Sequence, residues 1–383
     1  MSCFIQLHVI TSYPPSNLNR DDLGRPKSAL VGGVTRLRVS SQSLKRAWRT
    51  APPMTKAFGQ LGESHLGWRT RRVGSEWILT RLVKDGVAED IARTWAVELQ
   101  RAYGEPDIEQ KDSPRTKQLV HVAPLEEDRL QQFLSELAQD LLGNKKSKQV
   151  ENVKSLLAKR DKSNDKKQAN ITLSRQLADI LLVRASTAVD IALFGRMLAA
   201  APAHNFEAAA QVAHGFTVHK ASAEDDYFTA VDDLNPRDED IGAGHVNEAG
   251  FGAGVYYLYV CINRDLLDAN LGGDTALRDR ALAALIEAIA KVSPTGKQAS
   301  FASRAYASYM LAEKGSQQPR SLSLAFVKPI AGNDVIGEAI SALNDKLEKM
   351  DKVYGACADS RTFFNAETGE GTLAELIAFA QAQ

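Results

Sequence analysis

Arg20, Arg25, Lys27, Arg36, Arg38, Lys45, Arg46 and Arg49 crowd into residues 20–49, where only Asp21 and Asp22 oppose them. Cations at that density can neutralise phosphates, a chemistry that fixes a polyanion's position while reading little of its sequence. At the centre of the run is RVSSQSLKRAW, residues 38–48. Its spacing predicts a helix from about Ser41, with the hydroxyl of Ser40 or Ser41 at the N-cap. On the helical wheel Leu44, Ala47, Trp48 and Ala51 form an apolar face, and Gln42, Lys45, Arg46 and Arg49 point elsewhere. Lys45 and Arg49 are neighbours four residues apart, a like-charge pair that costs a few tenths of a kcal/mol until a polyanion reverses the sign. The first turns of a helix disfavour cations, yet their free N–H groups welcome phosphate. Two readings stay open on these residues alone: a solvated charged face, or a phosphate track shared with Arg36 and Arg38 of the preceding segment and with Arg20, Arg25 and Lys27 of the loop before it.

Other reactive side chains carry weaker signals. Asp21 and Asp22 sit in an Asn- and Gly-rich loop, where carboxylates serve as turn formers or arginine partners, and no second acidic cluster stands at two-metal spacing. The seven histidines contain no HExxH and no metal pair; His214 and His219 read as ordinary surface or core residues, with base stacking as the alternative. GFGAG at 250–254 precedes a strand instead of joining strand to helix, so it is no dinucleotide fingerprint. Tyr256, Tyr257, Tyr259 and Phe326 have the composition of a base-stacking platform but are expected to pack in the core. Cys3, Cys261 and Cys357 are too scattered for a zinc cluster or a disulfide scaffold, which suits a reducing compartment. No cofactor is implied.

The elements that must position the basic run form a mixed pattern. Residues 3–11 alternate as a half-buried strand near a sheet centre, 12–27 form a loop, and ALVGGVTRLRV is extended about a tight turn or close backbone approach at Gly32 and Gly33. Residues 55–142 carry helical spacing; the lysine-rich 143–170 segment, with nine bases against three acids in 144–168, is expected to be a solvated arm. STAVDIALFGRM looks β-prone, GFGAGVYYLYVCI is the strongest strand, DTALRDRALAALIEAIAKV a helix, RSLSLAFV a short strand, and GEAISALNDKLEKM and the last dozen residues helices. The 383 residues have a formal net charge of zero, but this average conceals segregation, since residues 224–240 hold eight acids and one base. Nothing resembles a secretory leader or a membrane span, and a cytoplasmic α+β protein with inserted lobes fits the pattern.

Six motifs recur in order: LNRDD at 18–22, GG at 32–33, RVSSQSLKRAWR at 38–49, VDIALFGRM at 189–197, FTAVDDL at 228–234 and GKQASF at 296–301. Together they resemble the CasC family, the backbone subunit of the type I-E CRISPR surveillance complex, Cascade. The resemblance implies an RRM-like (ferredoxin-like) palm with a large helical fingers insertion and a protruding thumb. It implies a palm in residues 1–54, 181–197 and 226–383, fingers in 55–180 and a thumb in 198–225. It also implies a protomer that stacks head to tail with further copies along a CRISPR guide RNA, joins other Cascade subunits, and meets target DNA through guide pairing. RNA would then be held by Arg20, Lys27, Arg36, Arg38, Ser40, Gln42, Ser43, Lys45, Arg46, Arg49, Lys297 and Gln298, and the thumb would wedge the RNA with Met197, Leu198, Phe206 or Phe216. The rivals are a metal-dependent ribonuclease using Asp22 or Asp21, and a structural assembly subunit without direct RNA recognition.

Overall fold

The structure is a computed structural model and describes residues 3–59, 65–107, 109, 113–183, 188–229 and 246–382. Its strands are β1 (Phe4–Ser16), β2 (Ser28–Val31), β3 (Val34–Val39), β4 (Trp68–Thr70), β5 (Val120–Val122), β6 (Ala210–Val212), β7 (Gly215–Thr217), β8 (Glu224–Thr229), β9 (Val246–Asn263), β10 (Ala307–Gly315) and β11 (Ser360–Asn365). Its α-helices are α1 (Ser41–Arg49), α2 (Pro52–Phe58), α3 (Thr80–Lys84), α4 (Glu89–Leu99), α5 (Pro124–Leu141), α6 (Lys148–Lys162), α7 (Lys166–Leu181), α8 (Val189–Phe194), α9 (Arg264–Asn270), α10 (Thr275–Lys291), α11 (Gln298–Phe301), α12 (Val335–Tyr354) and α13 (Leu373–Gln381). Two compact units emerge: a sheet unit of Met1–Ala57, Ala210–Asp265 and Asp279–Gln383, and a helical unit of Phe58–Ala209 and Leu266–Arg278. No helix among the described residues is long and apolar enough to cross a membrane.

The sheet unit is built on one antiparallel sheet in the order β11-β10-β1-β9-β7-β3-β2, with β6 and β8 also paired to β9. β1 lies at its centre between β9 and β10, and it is buried on both faces where alternation had suggested one. Its polar members are satisfied there. His8 reaches the Tyr257 hydroxyl at 2.9 Å and Glu313 at 3.0 Å, while Gln6 Oε1 accepts from Tyr259 and from the Arg320 backbone, both at 2.8 Å. Arg320 and Arg361 also donate to Glu313, so one carboxylate gathers three donors. Burial alone would raise that carboxyl; the hydrogen bonds from His8, Arg320 and Arg361 bring it down to about 2. Burial likewise holds the His8 imidazole below its ordinary value.

Gly32 and Gly33, at φ of +59° and +78°, turn β2 into β3, as the glycine pair suggested. Gly32 also explains the second option, close backbone approach, because a Cβ there would stand 1.7 Å from the Val327 carbonyl oxygen. RSLSLAFV supplies no strand: Ser323–Phe326 is a 3-10 turn that buries Phe326 against Tyr257. A short run of alternating residues is compatible with either shape, and packing decides. Tyr256, Tyr257 and Phe326 are core residues.

The helical unit has its own core, from Val73 through Phe133, Leu137 and Leu177 to Leu198. Two sequence expectations fail in it. The lysine-rich stretch is no solvated arm: Ser147 caps α6, Asp165 caps α7, and Val150, Val153 and Leu156 are buried at helical spacing. VDIALF is a fully buried helix. Its Asp190 accepts from the Gly67 N–H at 2.8 Å and meets His121 at 2.9 Å, a tertiary pairing that overrides β-prone side chains. Residues 181–183 and 188–197, given to the palm on sequence, belong to this unit, and 210–225, given to the thumb, belong to the sheet unit.

Candidate nucleic-acid interface

The helix expected at Ser41 is α1, and its apolar face is the one read from the wheel: Leu44, Ala47, Trp48 and Ala51 are buried. Ser40 is the N-cap, its hydroxyl accepting from the Ser43 N–H at 3.3 Å, while its own N–H donates to Asn19 Oδ1 at 2.9 Å. Asn19 of LNRDD thereby fixes where the basic helix begins. The loop also runs back along β3, with Lys27 N–H donating to the Asn19 carbonyl and Arg38 N–H to the Lys27 carbonyl, both at 2.8 Å. A third segment closes on it: a Cβ on Gly296 would stand 2.5 Å from both the Asn17 and Leu18 carbonyl oxygens, so the GKQASF turn lies flat against the loop.

On this frame Gln42 and Arg46 are exposed and Lys45 and Arg49 are half-buried beside them, with Ser43 half-buried on the first turn. Arg20 is exposed at the neck of the loop, and Lys27 and Arg38 converge with a residue that charge counting missed. His214, in the β6–β7 turn, accepts from Arg38 Nη1 at 2.7 Å. Burial first, then the charges of Arg38 and Lys27, push its imidazole below the ordinary value, so it stays neutral beside the two cations. A further groove of about 760 Å³ in the sheet unit is lined by Thr50 and Lys56 beyond the end of α1 and by Lys291, Arg304 and exposed Tyr306. None of these was singled out on sequence; Arg304 and Tyr306 do follow directly on GKQASF, which is the only signal that pointed there.

Several expected contacts belong instead to the fold. Arg36 is fully buried and donates to the Thr217 carbonyl at 2.9 Å and the Phe326 carbonyl at 3.0 Å, which removes it from any phosphate track. Ser40 is committed to its cap. Gln298 turns its amide onto its own loop, donating to the Pro294 carbonyl at 3.1 Å and Ser303 Oγ at 3.2 Å; Lys297, at φ +46°, remains half-buried at the turn. Asp21 is a turn former: its Oδ1 accepts from the N–H groups of Leu23 and Arg25, both at 2.9 Å. No group of three or more potential ligands that could hold a metal occurs among the described residues.

The wedge candidates separate in the same way. Leu198 and Phe206 are buried in the helical unit, Phe206 beneath the Arg196 guanidinium at 5.2 Å. Phe216 packs edge-on to Tyr257 in the sheet unit. Met197 alone of the four is open, at 83% exposure, on the rim of a cavity of about 430 Å³ that Arg101, Lys117 and Lys167 also line. In the sheet unit, β8 and the start of β9 make an antiparallel ribbon on which Tyr227 is 69% and Phe228 48% exposed. FTAVDDL begins on this ribbon, and most of it lies outside the described residues.

A family model described as CT1975-like protein matches residues 5–381. The chain belongs to that family. Among solved structures, it is similar to a chain of a CRISPR RNA-guided surveillance complex, pre-nicking, at 30% identity and a TM-score of 0.77, with 99% of each chain covered. A chain of a second CRISPR RNA-guided surveillance complex aligns at 27% identity and a TM-score of 0.68, again over 99% of each. No curated protein sequence matches. The resemblance read from six short motifs therefore extends over nearly the whole length.

Proposed function

We propose that the chain is a non-catalytic backbone protomer that lies head to tail with further copies along a CRISPR guide RNA and shapes the guide for pairing with target DNA. The observation that carries this reading is the basic face of α1, anchored through Asn19 and Gly296 to loops that bear Arg20, Lys27 and Lys297. It stands in a chain similar from end to end to subunits of RNA-guided surveillance complexes. Phosphates would be held by Arg20, Lys27, Arg38, Lys45, Arg46 and Arg49, with Gln42 and Ser43 as neutral donors and Lys297 at the edge. Such contacts grip backbone shape and leave sequence to base pairing.

The sheet order supports an RRM-like palm: β1 between β10 and β9, β6 and β7 beyond β9, α1 after β1 and the β2–β3 hairpin, and α10 between β9 and β10. Fingers correspond best to the helical unit. The thumb is better sought in the β8–β9 ribbon than in residues 198–225, because exposed Tyr227 and Phe228 offer the stacking faces that the buried Leu198 and Phe206 withhold. Metal-dependent cleavage finds less support: Asp21 Oδ1 is taken up by two backbone N–H groups, and neither Asp21 nor Asp22 belongs to a group of three potential metal ligands among the described residues. Other subunits of such a complex would be its partners, in the cytoplasm.

Native mass of the purified assembly, with and without nuclease, tests the reading. The expected result is a multi-copy particle containing RNA that falls to smaller species after digestion. An RNA-free monomer, or an assembly indifferent to nuclease, refutes it.

A further inference from the structure

We infer that Arg25 and Asn17 clasp the basic loop to the stem of the β8–β9 ribbon, making Arg25 a positioning residue for the RNA groove and not a phosphate ligand. The proposal rests on the RNA-binding reading above for its consequence, though the clasp itself is a matter of this chain's geometry.

The loop is held shut before Arg25 leaves it. Arg20 bridges to Pro26, Asp21 N–H donates to the Arg25 carbonyl at 2.8 Å, and the Asp21 carboxylate accepts from the Arg25 N–H at 2.9 Å. With its backbone fixed on both sides, the Arg25 side chain reaches the ribbon. Its Nη2 donates to Asp225 Oδ2 at 2.5 Å and to Glu248 Oε1 at 3.2 Å. In the ribbon register Asp225 faces Gly250 and Glu248 faces Tyr227, so the two carboxylates stand diagonally on one face, one on each strand. One guanidinium thus bridges both strands and relieves a repulsion between them.

Two further ties meet at the same level. Asn17 is fully buried, and its single Nδ2 donates to the Gly24 carbonyl at 2.9 Å and to the Gly250 carbonyl at 2.7 Å, one partner in the loop and one in β9. Gly250 is itself a close approach: a Cβ there would stand 3.0 Å from Pro26 Cδ and 3.3 Å from Arg25 Cγ. The loop that carries Arg20 and Lys27 and the ribbon that carries Tyr227 and Phe228 therefore move as one piece. An acidic stem beside an RNA groove would repel phosphate; with Arg25 on it, the stem can sit there.

The test uses the full chain. In Arg25→Gln without RNA, amide hydrogen exchange at 224–228 and 248–251 should quicken about two- to fivefold, the effect of losing an exposed ion pair, while β1 and β10 stay unchanged. With RNA, affinity should fall by a similar factor with the slope of log K against log salt unchanged, whereas Arg46→Gln should lower that slope by about 0.7. Asp225→Asn combined with Glu248→Gln should reproduce the faster exchange from the other side of the clasp. Unchanged exchange in Arg25→Gln overturns the clasp, and a slope lowered by about 0.7 in that variant makes Arg25 a phosphate ligand and overturns the proposal. Faster exchange with unaltered affinity overturns the positioning role. A wild-type chain that binds no RNA refutes the functional reading instead, and exchange alone then decides the clasp.

Discussion

Replacing Arg36 and Arg46 separately by alanine distinguishes a base that builds the groove from one that lines it. The two residues are ten apart in one basic run, and charge gives no reason to treat them differently. Removal of Arg36 strips the donor from two buried acceptors, the carbonyls of Thr217 and Phe326, at about 1–3 kcal/mol each. Part of this is offset, because burial without a carboxylate partner already disfavours the charged guanidinium and holds its pKa below the ordinary value. A net loss on the order of 2–4 kcal/mol is expected for Arg36→Ala, read as a lower urea midpoint in the fluorescence of buried Trp48. Arg46 is exposed, and its loss should leave stability within about 0.5 kcal/mol. RNA anisotropy over a series of salt concentrations should give the opposite ranking: an unchanged slope for folded Arg36→Ala, and a slope lower by about 0.7 for Arg46→Ala. Full stability with a diminished salt slope in Arg36→Ala would refute the reasoning.

Gly32→Ala should cost upward of about 2 kcal/mol and displace the β2–β3 turn, because its Cβ collides with the Val327 carbonyl; Gly33→Ala, with open space around it, should cost only about 1 kcal/mol. Equal melting shifts for the two would contradict the collision. Acid should destabilise the sheet unit in two stages. His8 is held below its ordinary 6.5 by burial, so its contribution is complete above that pH and fades as pH falls through it. Glu313 is lowered from 4.5 to about 2, so its share, roughly 3 kcal/mol, is complete above pH 4.5 and is lost on descending toward 2. Denaturant midpoints should show the second loss in the wild type and not in Glu313→Gln, itself less stable by about 3–5 kcal/mol at neutral pH; a wild-type midpoint flat from pH 5 to 3 would count against the network.

Much of the fold was legible where local pattern and burial agree. Alternation over Phe4–Ile10, the glycine pair at 32–33, the apolar run of β9 and the wheels of α1, α10 and α12 each lead to the element observed. The misses have a shared cause, since each depends on a partner far along the chain. α6 looks like a lysine-rich tether because its apolar positions are few, yet Val150, Val153 and Leu156 join a core that begins at Val73, and Arg160 is fixed by Glu98 at 2.5 Å. α8 carries Val, Ile, Leu and Phe within six residues, and as a buried helix it has Asp190 paired with Gly67 and His121 and Ile191 packed on Ala123 and Phe206. β10 and β11 went unread; Glu313, charged and fully buried, interrupts the apolar pattern of β10 for the sake of His8 on β1.

The candidate interface was legible as a quantity of charge and not as an allocation of it. Sequence density says how many cations lie near one another, whereas fold decides which acceptors each one meets. Arg36 faces two carbonyls, Arg25 faces two carboxylates, and Arg38 shares its guanidinium with neutral His214. Arg20 and Lys27 stand on the loop that Asn19 ties to the start of α1, and Gln42, Lys45, Arg46 and Arg49 follow along the helix to its last residue. A zero net charge is no obstacle to such a groove. At physiological ionic strength the Debye length is about 8 Å, so acids elsewhere on the surface are screened from a phosphate at α1. The exception is the acidic stem of the ribbon, clasped against the basic loop itself, and that is where the chain places Arg25.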